Sequence, residues 1–393
     1  MSKWRKKQLQ EIAFLRPTET LKKGDIAPNI PMANIKEFQR DVVKIDYSEF
    51  RGGTKFRNGD TLLAKITPCL ENGKTAFVNC LQEDEIGFGS TEFIVLRAKE
   101  NIDERFLYYL SISPEFRKQA ISLMEGTSGR KRVNENALKI SDFLIPDFEE
   151  QRKIANILSA IDDKIQINNQ INQELEAMAK TLYDYWFVQF DFPDQNGKPY
   201  KSSGGKMVYH PELKREIPEG WGVESVGNLL DKVTKAEKIE NNLIEFIGEI
   251  PVIDQSQKYI AGFTNNENGL IQPQKGHVIF GDHTRVVKYI NFDYARGADG
   301  TQVLISKNEH ISNVLLYHMI EDFDLSNYGY ARHFKFLKEK IVIVPDKEVS
   351  SKFETQANVI YEKIKNNIFE NQELTRLRDW LLPMLMNGQV KVE

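Results

Sequence analysis

The chain is poor in the residues that mark secreted, membrane-spanning and metal-bound proteins. Only two cysteines, Cys69 and Cys80, occur among 393 residues, and their spacing fits no paired metal site. No apolar run approaches the ~18 residues that a membrane span needs. The basic N-terminus is not followed by an apolar stretch, so a secretory signal is not expected. These absences predict a reduced, soluble, cytoplasmic protein that has no membrane partner.

The overall charge does not identify a ligand. The chain carries 53 basic and 57 acidic side chains, which gives a formal net charge of −4. Residues 1–146 carry 24 basic and 20 acidic side chains, whereas residues 147–190 carry 4 and 8. A positive surface for an anionic ligand is therefore expected to be local rather than global.

The chain does contain an internal repeat. Residues 164–175 align with residues 363–374, and seven of the twelve positions are identical, including the run Asn-Gln-Glu-Leu. Four further matches keep the same order: Trp4 with Trp221, Arg57–Leu63 with Gln274–Phe280, Phe106–Tyr109 with Val314–Tyr317, and Ile145-Pro146 with Val344-Pro345. Because the order is kept while the offset falls smoothly, we interpret the chain as one duplicated unit, a globular part followed by a long helix.

The repeat divides the chain into five segments. These are a globular domain at 1–147, a long helix at 148–190, a linker at 191–216, a second globular domain at 217–346 and a second long helix at 347–388. Both globular parts contain short β-rich runs and one recurring helical segment. The linker is polar and rich in Gly, Pro and Ser. The predicted fold class is therefore α+β.

Both long segments have a seven-residue apolar period. In the first, one row is Ile154, Ile161, Leu175 and Leu182, and the other is Ile157, Ile171, Met178 and Tyr185. Asn168 and Asn367 fall at equivalent positions of the predicted seam, as do Lys164 and Lys363, and polar seam residues fix register and partner. We expect the helices to pair antiparallel as a coiled coil, with Asn168 facing Asn367 and one domain at each end. Two unrelated amphipathic core helices are the alternative.

The ordered set of motifs resembles the specificity (S) subunit of type I restriction–modification systems. The motifs are Ile217–Trp221 opening a unit, Gly59-Asp60 and Gly276-His277 before a β run, Ile145-Pro146 followed by Glu149–Ile154, and the linker at 196–206. The likeness covers essentially the whole chain. The start of the second helix, Asp346-Lys347-Glu348, departs from the pattern of the first. The pattern therefore does not fix the residue at which the second helix begins.

The resemblance implies two pseudo-symmetric target-recognition domains separated by the antiparallel coiled coil. Each domain would read one half of a bipartite target in double-stranded DNA, and the coiled coil would set the half-site spacing. It also implies that methyltransferase (M) subunits, expected to be two, dock on the helices and that restriction (R) subunits join them. S-adenosylmethionine, ATP and magnesium are then expected on those partners, which supply the adenine methyltransferase and ATP-dependent endonuclease activities.

Motifs for catalysis by the chain itself are not found in the sequence. An Asn/Asp-Pro-Pro-aromatic loop for adenine methylation and a Gly-x-x-x-x-Gly-Lys-Ser/Thr phosphate loop are both missing. Asp162-Asp163-Lys164 has the composition of a metal-dependent nuclease site, but on a long helix we interpret it as a solvated face with one seam lysine. We therefore assign no catalytic residue, metal or cofactor to this chain.

Basic and polar loop residues are the candidates for contacting DNA, because phosphates and base edges are recognised by such side chains. In the first unit the candidates are Arg51, Lys55, Arg57, Lys74, Arg130, Lys131 and Arg132. In the second they are His283, Arg285, Lys288, Tyr330, Arg332, His333 and Lys335. Residues 130–132 and 332–335 precede the closing strand by similar distances, as a DNA face shared by two copies requires. Simple solvation is the alternative for each residue.

Two other functions stay open from the sequence. The chain could be a coiled-coil scaffold whose domains bind proteins without DNA specificity, or a nuclease that acts alone. Salt-dependent DNA binding distinguishes the first alternative, and cleavage with magnesium alone distinguishes the second. The target bases cannot be read from the sequence, because no code relates loop residues to bases.

Overall fold

The computed structural model describes residues 4–391, apart from positions 43, 128, 232, 234, 235, 246, 298, 299, 330 and 331 and the side chain of residue 328. The chain divides into two compact units, Met1–Asn168 with Glu370–Glu393 (unit 1) and Asn169–Phe369 (unit 2). Each unit therefore contains one globular domain and part of both long helices, and the mixture of helices and strands confirms the α+β class. Within the described residues no helix is long and apolar enough to cross a membrane.

The domain of unit 1 is built from two four-stranded sheets. Its strands are β1 (Arg5–Gln8), β2 (Ala13–Leu15), β3 (Ile26–Ile30), β4 (Asp46–Glu49), β5 (Thr54–Phe56), β6 (Thr61–Ala64), β7 (Thr75–Phe77), β8 (Gly87–Gly89), β9 (Phe93–Ala98), β10 (Met124–Glu125), β11 (Arg132–Val133) and β12 (Asp142–Ile145). Its helices are α1 (Leu9–Ile12), α2 (Glu104–Ile112), α3 (Pro114–Ser122) and α4 (Glu135–Lys139). The sheets have the orders β2-β9-β6-β7 and β4-β3-β8-β5, and β1 pairs with β12.

The first long helix, α5 (Phe148–Tyr183), ends in a π-helical turn at Asp184–Val188. It leads into the strands β13 (Met207–His210), β14 (Arg215–Pro218), β15 (Gly222–Ser225), β16 (Ile250–Ile253), β17 (Gly262–Thr264), β18 (Leu270–Ile271), β19 (His277–Gly281), β20 (Val287–Ile290), β21 (Tyr294–Arg296), β22 (Thr301–Leu304) and β23 (Ile341–Val344). The remaining helices are α6 (Val226–Leu229), α7 (Asn313–Ile320), α8 (His333–Glu339) and the second long helix α9 (Lys347–Met386). The sheets of unit 2 have the orders β17-β16-β21-β18 and β20-β19-β22.

The strand orders confirm the duplication. The sheet β17-β16-β21-β18 repeats β4-β3-β8-β5, and β20-β19-β22 repeats β7-β6-β9. In the closing ladders, Arg5 pairs with Ile145, and Gly222 pairs with Val344. These pairs reproduce the offsets that the sequence alignment predicts at the two ends of the unit.

The alignment of α2 with α7 needs a correction of one residue. Asp103 caps the N-terminus of α2 and Ser312 caps that of α7, so Tyr109 corresponds to His318 rather than to Tyr317. The ring packing agrees, because the centroids of Tyr108 and Tyr109 lie 5.0 Å apart and those of Tyr317 and His318 lie 4.9 Å apart. Two apolar runs of similar composition align almost equally well at either offset, and only the cap and the packing decide between them.

The long helices run antiparallel within each unit. In unit 1, Leu385 near the end of α9 shares a hydrophobic core with Ile154 near the start of α5. In unit 2, Phe187 after the end of α5 packs edge-on against Phe353 near the start of α9, with ring centroids 5.1 Å apart. The prediction of antiparallel pairing is therefore confirmed in both units.

Asparagines do lie in the helix seam, but Asn168 does not face Asn367. In unit 1, the Asn168 Nδ2 donates to the Oδ1 of Asn371 at 2.9 Å. In unit 2, the Asn367 Nδ2 donates to the Oδ1 of Asn172 at 2.8 Å. The repeat relates these two hydrogen bonds to each other, because Asn168 is equivalent to Asn367 and Asn172 to Asn371.

Two further expectations about the seam are wrong. Lys164 and Lys363 are exposed, since a buried ammonium without a partner is costly; the Lys164 ammonium lies 3.3 Å from a carboxylate oxygen of Glu370. The second apolar row was also placed one residue early, because Met178 is 57% exposed and its neighbour Ala179 is buried. The residues that complete the buried row at this spacing are Leu158, Asn172, Ala179 and Trp186.

Candidate nucleic-acid interface

In unit 2 the candidates at 283–288 and those at 332–335 lie on two neighbouring segments. The buried Asp282 follows β19, and its Oδ1 accepts a hydrogen bond from the backbone N of Phe334 at 2.9 Å. Its carbonyl oxygen accepts from the backbone N of His333 at 2.9 Å. Because Arg332, at the N-cap position of α8, makes no side-chain cap, Asp282 performs that function from a distant loop. The loop after β19 and the start of α8 are thereby held side by side.

Unit 1 places its basic cluster beside the equivalent strand. The backbone N of Thr67 donates to the carbonyl of Lys131 at 3.0 Å, and that of Val133 donates to the carbonyl of Lys65 at 2.9 Å. Residues 130–132 therefore run along the loop that follows β6, which is the counterpart of β19. Both units thus carry a basic segment at the same place in the fold.

Two of the three cluster residues in unit 1 are readily accessible. Arg130 and Lys131 are exposed, and their side chains make no ion pair with the described residues. Arg132 is held by Glu92, with Nε to Oε2 at 2.9 Å and Nη2 to Oε1 at 2.7 Å. The hydrogen bond from Arg132 holds the pKa of Glu92 below its usual value. To contact DNA, the Arg132 guanidinium would have to leave the Glu92 carboxylate and bind a phosphate instead.

The two arginine candidates upstream in unit 1 are exposed but paired. The Arg51 side chain is 83% exposed and its Nη2 lies 2.9 Å from an oxygen of Glu49. The Arg57 side chain is 52% exposed and its guanidinium lies 2.5 Å from an oxygen of Glu19. The Arg51 pair is exposed on both sides and therefore weak. The Glu19 side chain is only 4% exposed, so Arg57 would have to leave a buried carboxylate to contact a phosphate. Both arginines stay candidates for phosphate contact.

The two lysine candidates upstream in unit 1 are tied to the backbone. The Lys55 ammonium donates to the carbonyl of Glu19 at 3.0 Å and lies 5.1 Å from the ring centroid of Phe50. The Lys74 ammonium donates to the carbonyl of Met32 at 3.1 Å. Both side chains are partly buried, so in this structure they stabilise the domain through these hydrogen bonds.

Four of the unit 2 candidates lie on the exposed surface, namely His283, Arg285, Arg332 and Lys335. The loop that carries His283 is fixed by the neighbouring 254–257 segment, since its backbone N donates to Oε1 of Gln255 at 3.2 Å. Arg285 has a positive φ of 65°, a conformation uncommon for residues with a side chain. Tyr330, the fifth candidate of this region, lies outside the described residues.

Lys288 and His333 are not on the surface, which corrects their placement among the accessible candidates. Lys288 is 4% exposed, and its ammonium donates to the carbonyls of Asp254 at 2.9 Å and Lys258 at 2.5 Å. Burial lowers the pKa of Lys288 to about 8, against the opposing effect of Asp254. His333 is 3% exposed, with Nδ1 3.2 Å from the carbonyl oxygen of Asp282. Both side chains brace the loops from inside.

Two basic residues beside the unit 1 cluster escaped the sequence analysis. Arg16 and Lys65 both form ion pairs with Glu135, the first residue of α4. Lys65 directly follows β6, at the position that Asp282 occupies after β19. The sequence could have identified Lys65 as a candidate, because it is the first residue after β6 and the repeat aligns it with Asp282, the first residue after β19.

The predicted solvated face holds for Asp163, whose side chain is 56% exposed, but not for Asp162. Asp162 is 4% exposed, and it accepts hydrogen bonds from the Arg378 Nη1 at 2.8 Å and the Tyr109 hydroxyl at 2.7 Å. Asp163 lies 2.7 Å from the guanidinium of Arg40. Both carboxylates are therefore neutralised by arginines, and among the described residues no group of three or more His, Cys, Asp or Glu is placed to hold a metal ion.

Comparisons with known proteins agree with this architecture. Residues 1–177 match the family described as the type I restriction modification DNA specificity domain. The chain is 25% identical over 325 residues to the type I restriction enzyme MjaIX specificity subunit of Methanocaldococcus jannaschii, covering 75% of this chain and 71% of the relative. It is 26% identical over 416 residues to the HindI specificity subunit of Haemophilus influenzae, covering 85% and 87%.

A solved structure has the same fold. The crystal structure of a type I restriction–modification system S subunit from M. genitalium matches with a TM-score of 0.55. The match covers 98% of this chain and 96% of that chain at 17% sequence identity. At this level of identity the likeness concerns the fold alone.

Proposed function

Because the chain belongs to the specificity subunits of type I restriction–modification systems, we propose that each globular domain reads one half of a bipartite target in double-stranded DNA. The observation that carries the proposal is the repeated placement of basic residues. Arg130 and Lys131 in unit 1, and Arg332 and Lys335 in unit 2, are exposed beside the loop after the equivalent strand. Two copies of one DNA-binding surface suit a target with two half-sites.

Within each domain, the exposed side chains divide into two kinds of contact. Lysines bind phosphates as point charges, whereas arginines and a histidine such as His283 can also reach base edges. The clusters are carried by loops, which a rigid sheet holds in place. Different loop sequences in the two domains therefore give different half-sites.

The paired helices have two tasks in the proposed complex. They set the spacing between the half-sites, and they dock the partner subunits. Leu377 and Trp380 are 44% and 58% exposed on α9 in unit 1, and the equivalent of Leu377, Met178, is 57% exposed on α5 in unit 2. We assign the docking surface to the stretches that carry these side chains, since contiguous exposed apolar patches form contact surfaces.

The proposed partners follow from the family. Methyltransferase subunits, expected to be two, would dock on the helices, and restriction subunits would join the complex. S-adenosylmethionine, ATP and magnesium would bind to those partners, and the chain itself would contribute no catalytic residue to the methyltransferase and endonuclease activities. The complex would act on DNA in the cytoplasm.

Selection from a degenerate DNA library, with and without the methyltransferase subunits, tests the proposal. We expect a bipartite motif and an affinity that falls with salt. Arg130→Ala with Lys131→Ala should alter one half-site or reduce the salt slope by roughly 0.9 for each phosphate that the variant no longer neutralises. Arg332→Ala with Lys335→Ala should affect the other half alone, and the exposed Lys23→Ala is the matched control.

Removing one heptad from each long helix, at facing positions, tests the spacing. We expect the gap between the two half-sites to change while the half-sites themselves stay the same. Methylome sequencing of a host that expresses the complex reads the gap directly. An unchanged gap contradicts the spacing proposal.

The same experiments decide between the competing functions. Failure to select any DNA, with or without the methyltransferase, identifies a protein-binding scaffold. Cleavage of DNA by the chain alone with magnesium identifies a nuclease. Neither result is expected, because the family relationship favours a specificity subunit.

A further inference from the structure

Unit 2 contains a cavity of about 230 Å³ between the β19–β20 hairpin and the long helices. Its walls include four aromatic side chains, Tyr259, Tyr289, Tyr317 and Tyr361. Glu176 of α5 also lines it. The share of one liquid water is about 30 Å³, so the cavity has room for a small organic group.

The equivalent corner of unit 1 can be located from the repeat. Phe77 in β7 corresponds to Tyr289 in β20, because Phe77 pairs with Thr61 and Tyr289 pairs with Val278. The repeat aligns Thr61 with Val278. Tyr108 corresponds to Tyr317 by the alignment of α2 with α7. The ring centroids of Phe77 and Tyr108 are 6.1 Å apart and those of Tyr289 and Tyr317 are 6.0 Å apart, so the two corners have the same framework.

In unit 1 an arginine of the neighbouring loop lies beside this corner. The Arg40 side chain is 5% exposed, and its carbonyl accepts a hydrogen bond from the backbone N of Phe77 at 2.9 Å. Its guanidinium lies against α5, 2.7 Å from a carboxylate oxygen of Asp163 and 3.5 Å from the carbonyl of Ser159. It also donates to the Oε1 of Gln166 at 3.4 Å. Unit 1 therefore supplies its own guanidinium to the corner.

A difference in loop length explains why unit 2 does not. Arg40 lies on the loop at 31–45 between β3 and β4. The equivalent loop between β16 and β17 spans only 254–261, and it contributes Gln257 and Tyr259 to the cavity. The Tyr259 hydroxyl donates to the carbonyl of Tyr289, so the shorter loop reaches the same strand without bringing a cation.

The electrostatic surroundings of the cavity favour a cation. Burial raises the pKa of the Glu176 carboxyl, and the nearby carboxylate of Glu321 raises it further. Burial, followed by the charges of Glu354 and Glu362, raises the pKa of the Tyr289 hydroxyl. A bound cation would offset the charges of Glu321, Glu354 and Glu362, which add to the effect of burial in these pKa shifts.

One cation of the chain already borders the cavity, but its charged end is held elsewhere. Lys288 lines the wall, and its ammonium donates to the carbonyls of Asp254 and Lys258. The ammonium also lies 3.8 Å from a carboxylate oxygen of Asp254. Lys288 is thus bound to the 254–258 loop and does not take the place that Arg40 takes in unit 1.

The geometry points to a binding site for a guanidinium group in this cavity, at the corner beside which unit 1 places Arg40. The tyrosine rings would hold the planar cation by cation–π contact, and Glu176 would accept hydrogen bonds from it. The guanidinium could belong to a small molecule or to an arginine side chain of a partner chain. Although Val286, next to the candidate Arg285, lines the cavity, the site does not depend on the proposed DNA function, because no DNA contact takes part in holding the guanidinium.

Calorimetric titration of the full chain without DNA tests the proposal. The probes are methylguanidinium, capped arginine (N-acetyl-arginine methylamide) and methylammonium. We expect one saturable site for methylguanidinium and weaker binding of methylammonium, which cannot stack or donate in the same plane. Saturable binding of capped arginine as well assigns the site to a side chain of a partner, and its failure to bind assigns the site to a small molecule.

Two variants sharpen the test. Glu176→Gln should weaken methylguanidinium binding by about tenfold, since the carboxylate that pairs with the cation is removed, whereas Thr375→Ala at the equivalent position of unit 1 should leave it unchanged. Arg40→Ala should create a second site, and methylguanidinium should then raise its Tm. The proposal is overturned if the unmodified chain shows no saturable binding below denaturing concentrations, or if Glu176→Gln binds equally well. It is also overturned if folded Arg40→Ala gains no second site.

Discussion

The two units share one topology, but the contact between domain and long helix uses different chemistry in each. In unit 1 the buried Asp162 of α5 receives hydrogen bonds from Tyr109 and from Arg378. In unit 2 the equivalent contact joins the Tyr361 hydroxyl to the Nε2 of His318 at 3.1 Å. The contact in unit 1 includes an ion pair, whereas the contact in unit 2 is a hydrogen bond between a tyrosine hydroxyl and a histidine ring. The comparison teaches that the duplicated backbone keeps a polar contact at this place, while its chemistry changes so long as each buried polar group has a partner.

This difference predicts unequal sensitivity to mutation. An ion pair that loses one member leaves a buried charge, which is strongly destabilising. A hydrogen bond that loses the Tyr361 hydroxyl leaves only one unsatisfied ring nitrogen on His318, which costs less. Variants at equivalent positions of the two units can therefore break or sharpen the comparison.

The largest effect is expected from Arg378→Met in unit 1. Asp162 is 4% exposed, so its unpaired carboxylate should lower the free energy of unfolding by about 3–5 kcal/mol. The double variant Asp162→Leu with Arg378→Met should recover most of that stability, since no charge is left buried. Urea unfolding measures both. A decrease below about 1 kcal/mol, which is usual for exposed pairs, would show that the pair is solvated.

The pH dependence of unit 2 should depend on Lys288. Its pKa is lowered to about 8 by burial, so between about pH 8 and the ordinary lysine pKa near 10.4 the unfolded chain binds more protons. Stability should therefore rise with pH across that window, by at most about 1.4 kcal/mol per pH unit. The difference between the unmodified chain and Lys288→Met, measured by unfolding at pH 7 to 10, isolates this contribution. A difference that is flat with pH contradicts the prediction.

An intermediate effect is expected at the seam asparagines. Asn367→Leu leaves the Asn172 amide of unit 2 without its partner and should cost about 1–3 kcal/mol. Its repeat equivalent in unit 1, Asn168→Leu, should cost at least as much, because Asn371 loses the same hydrogen bond and the Glu370 carboxylate loses one at 2.7 Å. The double variant Asn172→Leu with Asn367→Leu should regain stability in thermal unfolding. If both single variants are neutral, the asparagines do not determine the register.

The smallest effect is expected from Tyr361→Phe. This change removes only the hydroxyl that contacts His318 and should cost about 1 kcal/mol. Tyr109→Phe in unit 1 should cost more, because Asp162 loses a hydrogen bond to a charged group. Parallel urea titrations compare the two variants. Equal decreases in the free energy of unfolding would show that the two contacts contribute equally to stability.

Much of the fold could be predicted because the chain contains two copies of the same unit. Asn172-Gln173-Glu174-Leu175 and its copy fix the offset of the helices, and the apolar period predicts that they pair. The registers of β1 with β12 and of β15 with β23 agree with that alignment. The second row was misplaced in part because neighbouring residues such as Met178 and Ala179 are both apolar, and periodicity does not say which of them faces the partner.

The candidate site was predicted less completely. The exposure of Arg130 and Lys131 follows from their position in a polar, Gly-rich loop. The burial of Lys288 does not follow from sequence, since it depends on the carbonyls of Asp254 and Lys258, which another loop brings into reach. His333 is buried for the same reason, because it packs on the loop at Asp282.

The sequence alone determined that this protein is a duplicated domain-plus-helix unit, because composition and period act along the chain and survive without any long-range contact. Only the tertiary structure decided which charged groups are neutralised and which stay exposed. Asp162 and Arg378 are 216 residues apart in sequence, yet they lie within a hydrogen bond of each other. The free energy of a charge depends on the groups that surround it in space, and folding brings those groups from distant parts of the chain.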